Sequence, residues 1–164
     1  MEPTVEKTFL FALRLKGSFG TPKSTQSTLE TLHLKGRFNG TLVENKPHVV
    51  GMLRQVKDYI TWGEVRTNDI ATLLKERGEL TGGKTMTDET VHQKFGERSV
   101  DDLATALTHG RVNLKTLWQK GLNPMFRLRP PTGGFASSVK RPFGSRGELG
   151  NRGPLISSLL IRMV

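Results

Sequence analysis

Hydrophobic residues near the start of the chain recur at every second position. The fully apolar side of this pattern consists of Phe9, Phe11, Leu13 and Leu15. The residues between them become basic toward Lys16. A period of two is typical of a β-strand with one buried face, so the pattern predicts a strand over Thr8–Lys16.

A helix is predicted after a short turn. Thr21 is a good N-cap and Pro22 is a good first helical residue, so the helix should begin there and end near Leu34. A basic loop over residues 35–40 and a short strand at Thr41–Glu44 are expected next.

The clearest helical pattern begins at Pro47. Its apolar residues fall at spacings of three and four, on one face of a helix, and are Val49, Met52, Leu53, Val56 and Ile60. A third strand is predicted over Ile60–Val65. The chain up to this point therefore predicts a β-α-β-α-β module.

The rest of the chain predicts mainly helices. Apolar residues at helical spacing indicate three of them, over Thr67–Arg77, Ser99–His109 and Asn113–Lys120. Met125–Arg129 alternates apolar and cationic residues, which favours an edge strand. Pro154 should start a short terminal helix that docks on its own domain. The apolar side of that helix consists of Leu155, Ile156, Leu159, Leu160 and Met163.

Positive charge is concentrated in the last third of the chain. Residues 1–110 contain 15 Lys+Arg and 14 Asp+Glu, whereas residues 111–164 contain 10 Lys+Arg and one acid, Glu148. The stretch Arg127–Pro154 combines six of these cations with six glycines and four prolines. A segment so rich in cations and so poor in acids indicates a polyanionic partner.

Composition excludes several classes of protein. Cysteine is absent, so disulfides and thiolate metal sites are excluded. No apolar run approaches the roughly 20 residues of a membrane span. The first six residues are acidic and lack the basic region of a signal peptide.

Residues Gly78–Thr85 match the pattern G-x-x-x-x-G-K-[ST] of a phosphate-binding loop. Such a loop follows a buried strand and leads directly into a helix. Here the preceding residues have helical periodicity, and the acids Asp88 and Glu89 follow, where a phosphate needs positive potential. We therefore interpret the match as a glycine-rich loop between helices.

No candidate for catalysis or metal binding emerges. None of the four histidines, His33, His48, His92 and His109, lies four residues from another. The paired acids Asp88-Glu89 and Asp101-Asp102 lie near predicted helix starts, where carboxylates stabilise the helix dipole. We expect no catalytic residue, no metal and no cofactor.

The basic residues of the first module form a better candidate site. Lys16, Lys23, Lys35 and Arg37 lie at the ends of predicted strands and helices, which in an α/β module can cluster at one pole. Phe19 and Phe38 lie within the same loops. Each can either stack on a nucleic-acid base or fill the core, and the second role is the commoner one for a loop phenylalanine.

Several segments resemble one known family. Gly51-Met52-Leu53-x-x-Val56 and Tyr59-Ile60-x-Trp62-Gly63 are its most specific pieces. The likeness continues in four further segments, which are Lys75-x-Arg77-Gly78, Ser99-Val100-Asp101-Asp102-Leu103, Phe126-x-Leu128-x-x-Pro131-x-Gly133-Gly134 and Gly147-x-x-Gly150-Asn151-Arg152. In this order they resemble the L-thirty family of large-subunit ribosomal proteins, most closely its archaeal long form.

The resemblance implies an α+β fold with a small three-stranded antiparallel sheet of ferredoxin-like type. The expected parts are a core module over residues 1–66, a helical extension over 67–126 and a basic Gly/Pro-rich tail over 127–164. Off the ribosome, Thr132–Gly153 is expected to be mobile because it has few apolar residues.

The resemblance also implies a non-enzymatic protein that acts in the cytoplasm, within the ribosome. Its partners would be large-subunit ribosomal RNA and neighbouring ribosomal proteins, with no membrane and no small-molecule substrate. The RNA contacts carried over are Lys16, Lys23, Lys35, Arg37, Arg129, Gly133, Gly134, Lys140, Arg141, Arg146 and Arg152. Two alternatives stay open: a nucleotide-binding protein that uses residues 78–85, and a free-standing RNA-binding chaperone.

Overall fold

The computed structural model of the chain describes residues 7–164, and the acidic start over residues 1–6 lies outside them. Within this range the order of elements is β1 Phe9–Arg14, α1 Lys23–Thr31, β2 Asn39–Glu44, α2 Pro47–Gln55, β3 Ile60–Val65, α3 Thr67–Arg77, β4 Glu79–Leu80, β5 Lys84–Thr85, α4 Asp88–Phe95, α5 Val100–Thr108, α6 Leu114–Gln119, β6 Met125–Arg127, β7 Ser138–Pro142, β8 Gly147–Asn151 and α7 Ile156–Met163.

One mixed sheet organises the fold. Its strands lie in the order β6-β2-β1-β3-β8-β7, and β4 pairs with β5 in a separate two-stranded sheet. In the centre, β1 is antiparallel to both neighbours, so that Phe11 faces Leu42 on one side and Gly63 on the other. The sheet therefore has six strands, whereas the sequence predicts three, and the antiparallel strands β2, β1 and β3 form its centre.

Both faces of β1 are buried, although the sequence predicts only one buried face. Leu10 and Ala12 belong to a cluster with α1 and α2, which cover one side of the sheet. Phe9, Phe11, Leu13 and Leu15 belong to a larger cluster on the other side, with apolar residues of α3 to α7. The sheet is thus sandwiched between two layers of helices. The larger cluster contains residues from all three predicted segments.

Most predicted helices begin and end close to the residues that the sequence predicts. α3 covers Thr67–Arg77 as predicted. Ser99 caps α5, since its hydroxyl accepts a hydrogen bond from the N–H of Asp102 at 3.2 Å. α2 ends at Gln55, earlier than its apolar stripe predicts, because the chain must turn back before Ile60 starts β3. α4 is an additional helix, capped by the Thr87 side chain.

The segment predicted as an extended tail contains two strands, β7 and β8, before its predicted terminal helix. β8 adds to the sheet edge parallel to β3, and the Thr61 hydroxyl donates a hydrogen bond to the Gly150 carbonyl at 2.9 Å. A 3₁₀ turn over Gly153–Leu155 then leads into α7. The apolar side of α7 is buried against the large cluster through Ile156, Leu159, Leu160 and Met163. The terminal helix therefore docks on its own domain, as expected.

Gly63 allows this docking. A Cβ atom at Gly63 would collide with the Gly153 carbonyl and lie 2.7 Å from the Cβ of Ile156. The chain that connects β8 to α7 consequently packs directly on the backbone of β3. A glycine in the middle of a strand is a common sign of such a close approach.

Candidate nucleic-acid interface

A buried arginine lies beneath the basic loops of the first module. Arg14 ends β1 with a side chain that is 0% exposed. Its Nε donates to the Lys16 carbonyl at 2.8 Å, and its Nη1 donates to the Leu34 carbonyl at 2.8 Å. Its Nη2 donates to Ser18 Oγ at 3.4 Å and to Gln26 Oε1 at 3.3 Å. One guanidinium thus connects two loops and α1.

Arg14 is not among the predicted site residues, although the sequence contains a signal for its burial. Leu10, Ala12 and Arg14 share one side of a strand, so the arginine continues an apolar face that the helices cover. Burial lowers the pKa of Arg14, while Tyr59 and Glu30 act in the opposite direction. An arginine keeps its proton across the working pH range, so the site beneath the loops stays cationic.

The structure brings three of the predicted contact residues to one cleft. Lys16 and Arg37 of the module and Lys140 of β7 line a surface cleft of about 300 Å³, together with Phe19 and Tyr59. The Lys16 ammonium lies 5.7 Å from the centre of the Tyr59 ring. Lys140 is far from the other two cations in sequence, so this cluster exists only in the folded chain. We call it the cationic cleft.

The two loop phenylalanines have different environments. Phe38 is half-buried, and its ring stacks on Phe135 with 6.2 Å between centroids. The Arg37 guanidinium lies 4.7 Å from the same ring centre. Phe19, by contrast, is 104% exposed. The expectation that a loop phenylalanine fills the core is therefore confirmed for Phe38 and wrong for Phe19.

The remaining predicted cations of the first module are exposed at the surface. Lys23 is the first residue of α1, and Lys35 lies in the loop that follows Leu34. Because the Leu34 carbonyl is held by Arg14, that loop is fixed at its start.

The predicted glycine contacts form a turn against α7. Gly133 and Gly134 have φ values of +80° and +74°. The N–H of Gly134 donates to the Pro131 carbonyl at 2.9 Å, so it is already used inside the chain. Arg162 of α7, which the sequence did not single out, donates to the Thr132 carbonyl at 3.0 Å and also to the Gly134 carbonyl. These glycines serve the conformation of the turn.

Three of the other predicted arginines of the tail are exposed. Arg141 and Arg146 are exposed, on either side of the turn between β7 and β8. Arg129 is exposed too, but its Nη2 donates to the Val164 carbonyl at 2.6 Å. It therefore connects the tail to the end of α7.

Arg152 is a buried residue, in contrast to the exposed contact that its sequence position suggests. It is 7% exposed, and its Nη2 lies 2.6 Å from Glu148 Oε2, while Glu148 itself is 5% exposed. Its Nε donates to Thr61 Oγ1 at 2.8 Å. The one acid of the last third thus holds this arginine inside the fold, where a phosphate cannot reach it.

The phosphate-loop match has the wrong geometry for nucleotide binding. Residues 79–85 form the β4–β5 hairpin, with Gly82 and Gly83 at positive φ in its turn. The next helix is capped by Thr87 and begins with Asp88, three residues beyond the end of the matched segment at Thr85. A phosphate-binding loop needs a helix that starts at the matched Lys-Thr pair, so its N–H groups can face the phosphate.

No group of three or more His, Asp or Glu side chains within residues 7–164 is arranged to hold a metal ion. None of the helices in this range has the length and apolar character needed to cross a membrane.

Comparison with known proteins identifies the family. Residues 10–60 match the family described as "Ribosomal protein L30p/L7e". The chain is 40% identical over 153 residues to the large ribosomal subunit protein uL30 of Thermofilum pendens, covering 93% of this chain and 96% of that protein.

Two other relatives carry the same name. The protein of Ignicoccus hospitalis is 38% identical over 161 residues, with 98% of this chain and 100% of the relative covered. The protein of Methanopyrus kandleri is 39% identical over 151 residues, with 92% and 100% covered. The likeness includes the module, the helices and the basic tail, and the chain therefore belongs to the ribosomal protein L30p/L7e family.

Proposed function

We propose that this chain is a structural constituent of the large ribosomal subunit and binds the RNA of that subunit. It is not an enzyme, because its family consists of ribosomal proteins. The observation that supports RNA binding best is the cationic cleft. Two cations from the first module and one from the tail converge there, although the chain separates them widely.

The binding mechanism is electrostatic. Closely spaced phosphates repel each other, and lysine and arginine side chains relieve that repulsion while releasing condensed counterions. The cationic cleft supplies Lys16, Arg37 and Lys140. Further exposed cations can add phosphate contacts, namely Lys23, Lys35, Arg129, Arg141 and Arg146. We leave Arg152 out of this surface because Glu148 and Thr61 occupy its guanidinium.

Charge removal in the cleft tests RNA binding. The triple variant Lys16→Ala, Arg37→Ala, Lys140→Ala should bind large-subunit ribosomal RNA more weakly than the unchanged protein. The slope of log affinity against log salt should fall by roughly 0.7–0.9 for each lost phosphate contact. Filter binding or fluorescence anisotropy across a salt series measures both quantities.

A matched control removes the same charge elsewhere. The control residues are exposed and lie outside the cleft. Lys94 belongs to α4, Lys115 belongs to α6, and Lys120 directly follows α6. Their triple alanine variant should bind RNA with nearly unchanged affinity. Equal affinity and equal salt slope for the cleft variant and the unchanged protein would refute the proposed surface.

Truncating the chain at Pro130 is a poorer test, because it would also damage the core. It would remove β8 and α7, whose buried residues include Leu149, Ile156 and Leu160. Point substitutions at exposed positions avoid this complication.

Membership of the subunit requires a separate experiment. The protein should co-sediment with large subunits after a high-salt wash, because a structural constituent is held by many contacts. A free-standing RNA chaperone would instead appear in the supernatant. Neighbouring ribosomal proteins are the expected partners of two exposed residues, Leu155 just before α7 and Ile161 within it.

A further inference from the structure

The loop between β1 and α1 presents a single aromatic ring to solvent. The N–H of Thr21 donates to the Ser18 carbonyl at 3.2 Å, which closes a turn with Phe19 and Gly20 at its tip. Gly20 has a φ of +73°, a value that favours glycine at the third position of such a turn. The Phe19 side chain lies at the corner of the turn and is 104% exposed.

This loop is held in place from below. Arg14 donates through Nη2 to Ser18 Oγ at 3.4 Å, and the Thr21 hydroxyl donates to the Gly17 carbonyl at 3.4 Å. Burial of Phe19 in the core would require the turn to open. The ring is therefore presented outward by a local structure with several internal hydrogen bonds.

All charged residues that line the cleft beside Phe19 are positive. Lys16, Arg37 and Lys140 line the cationic cleft with it, and within the described residues no acidic side chain lines that cleft. An apolar protein surface would offer no negative charge to these three cations. A nucleotide, by contrast, combines a flat ring with an anionic phosphate. The cleft has a volume of about 300 Å³ and lies at the surface, where the exposed ring and the cations can meet a ligand together.

We propose that Phe19 stacks on one unpaired base of the bound RNA, while Lys16, Arg37 and Lys140 contact the phosphates beside it. This inference rests on the RNA binding proposed above and specifies what kind of RNA the cleft takes. A base inside a double helix has both faces covered by its neighbours, so only a base in a loop, bulge or strand end can stack on a side chain.

Three substitutions at Phe19 test the stacking. Because the side chain is fully exposed, none of them should disturb the fold. Phe19→Ala and Phe19→Leu should each weaken binding to large-subunit ribosomal RNA by roughly 5- to 150-fold, the usual loss for one base–aromatic contact. Phe19→Trp should keep the affinity, and its added indole emission should be quenched by RNA relative to the unchanged protein.

The leucine variant separates stacking from hydrophobic contact, since leucine is apolar but has no π face. The salt slope should stay unchanged in all three variants, because no charge is removed. Ile161→Ala, which truncates another exposed apolar residue, should bind RNA as the unchanged protein does.

The outcomes distinguish this inference from the proposed function. If the triple cleft variant weakens RNA binding but Phe19→Ala and Phe19→Leu do not, stacking is overturned and RNA binding stands. If Phe19→Leu binds as well as the unchanged protein while Phe19→Ala does not, the contact is hydrophobic and stacking is again overturned. If the unchanged protein does not bind the RNA, both proposals fail.

Discussion

The Nη1 atom of Arg14 donates a hydrogen bond to the carbonyl oxygen of Leu34 at 2.8 Å, inside the protein. The same guanidinium holds the Lys16 carbonyl through Nε. Each of the two loops that carry Lys16 and Arg37 is therefore attached to one buried charge. The geometry of the cationic cleft depends on a residue that does not line it.

Replacing Arg14 should therefore lower the free energy of unfolding, because the loops beside the cleft lose their common hydrogen-bond donor. Arg14→Met keeps much of the side-chain length but leaves the Lys16 and Leu34 carbonyls without their donors. We expect the free energy of unfolding to fall by about 2–4 kcal/mol, since each buried group without a partner costs about 1–3 kcal/mol. Urea denaturation measures the loss. Arg111→Met, at an exposed arginine, should change stability by less than about 0.5 kcal/mol. A similar small change for Arg14→Met would contradict the structure.

The pair Glu148–Arg152 should behave as a coupled unit. Glu148→Met removes the charge that compensates a buried guanidinium, so it should destabilise the protein by about 3–5 kcal/mol. The double variant Glu148→Met, Arg152→Met should lose much less than the sum of the single variants, because no uncompensated charge is left. A double-mutant cycle in urea gives the coupling energy. Additive effects would show that the ion pair contributes nothing.

Substitution by alanine should change the free energy of unfolding in opposite directions at Gly63 and Gly51. At Gly63 the added methyl group collides with the Gly153 carbonyl and the Ile156 side chain, so Gly63→Ala should cost about 1–3 kcal/mol or more. Gly51 lies within α2, and a methyl group added there would have no neighbouring atom within 4 Å. Gly51→Ala should therefore stabilise the protein by about 0.5–1 kcal/mol through helix propensity. Thermal unfolding of the two variants tests both signs.

His33 should make stability fall as the pH drops below neutrality. Burial lowers the pKa of His33, and the nearby Lys35 lowers it further. The unfolded chain, with a pKa of about 6.5, then takes up a proton at a higher pH than the folded chain. Stability from this residue is present above pH 6.5 and is lost as the pH falls toward the folded pKa.

Asparagine is a suitable replacement for this test. His33 has a φ of +63°, and asparagine tolerates that conformation better than most residues. His33→Asn should flatten the dependence of unfolding free energy on pH just below 6.5. His109→Asn, at an exposed histidine, is the matched control. An unchanged pH profile in His33→Asn would rule out this assignment.

Local sequence patterns were sufficient for most of the helices and the central strands. β3 and α3 have the predicted bounds because apolar periodicity and their flanking residues agree. The segment Gly147–Asn151 has no such pattern, and it becomes β8 because β3 offers it an open edge. Its strand conformation depends on a partner far away in the chain, which a local pattern does not encode.

For the candidate site, too, the charged residues are known from the sequence, whereas their exposure is decided by the fold. Lys16, Lys140 and Arg152 are all basic residues that are predicted from the sequence as RNA contacts, without a distinction between them. In the fold, Arg152 lies beside Glu148 and the Thr61 hydroxyl, so its charge is satisfied internally. Lys140 is exposed and lines the cationic cleft together with Lys16.

The sequence by itself determined the β-α-β-α-β module, the family likeness and the positive charge of the last third. The module and the charge follow from composition and from spacings along the chain, and the likeness follows from short segments that resemble the family. All of these can be seen in the sequence without the fold. Only the tertiary structure decided that Arg14 and Arg152 are internal, that Phe19 is presented to solvent, and that Lys140 joins the cleft of the module. Burial and charge pairing depend on residues distant in sequence, and packing alone brings those residues together.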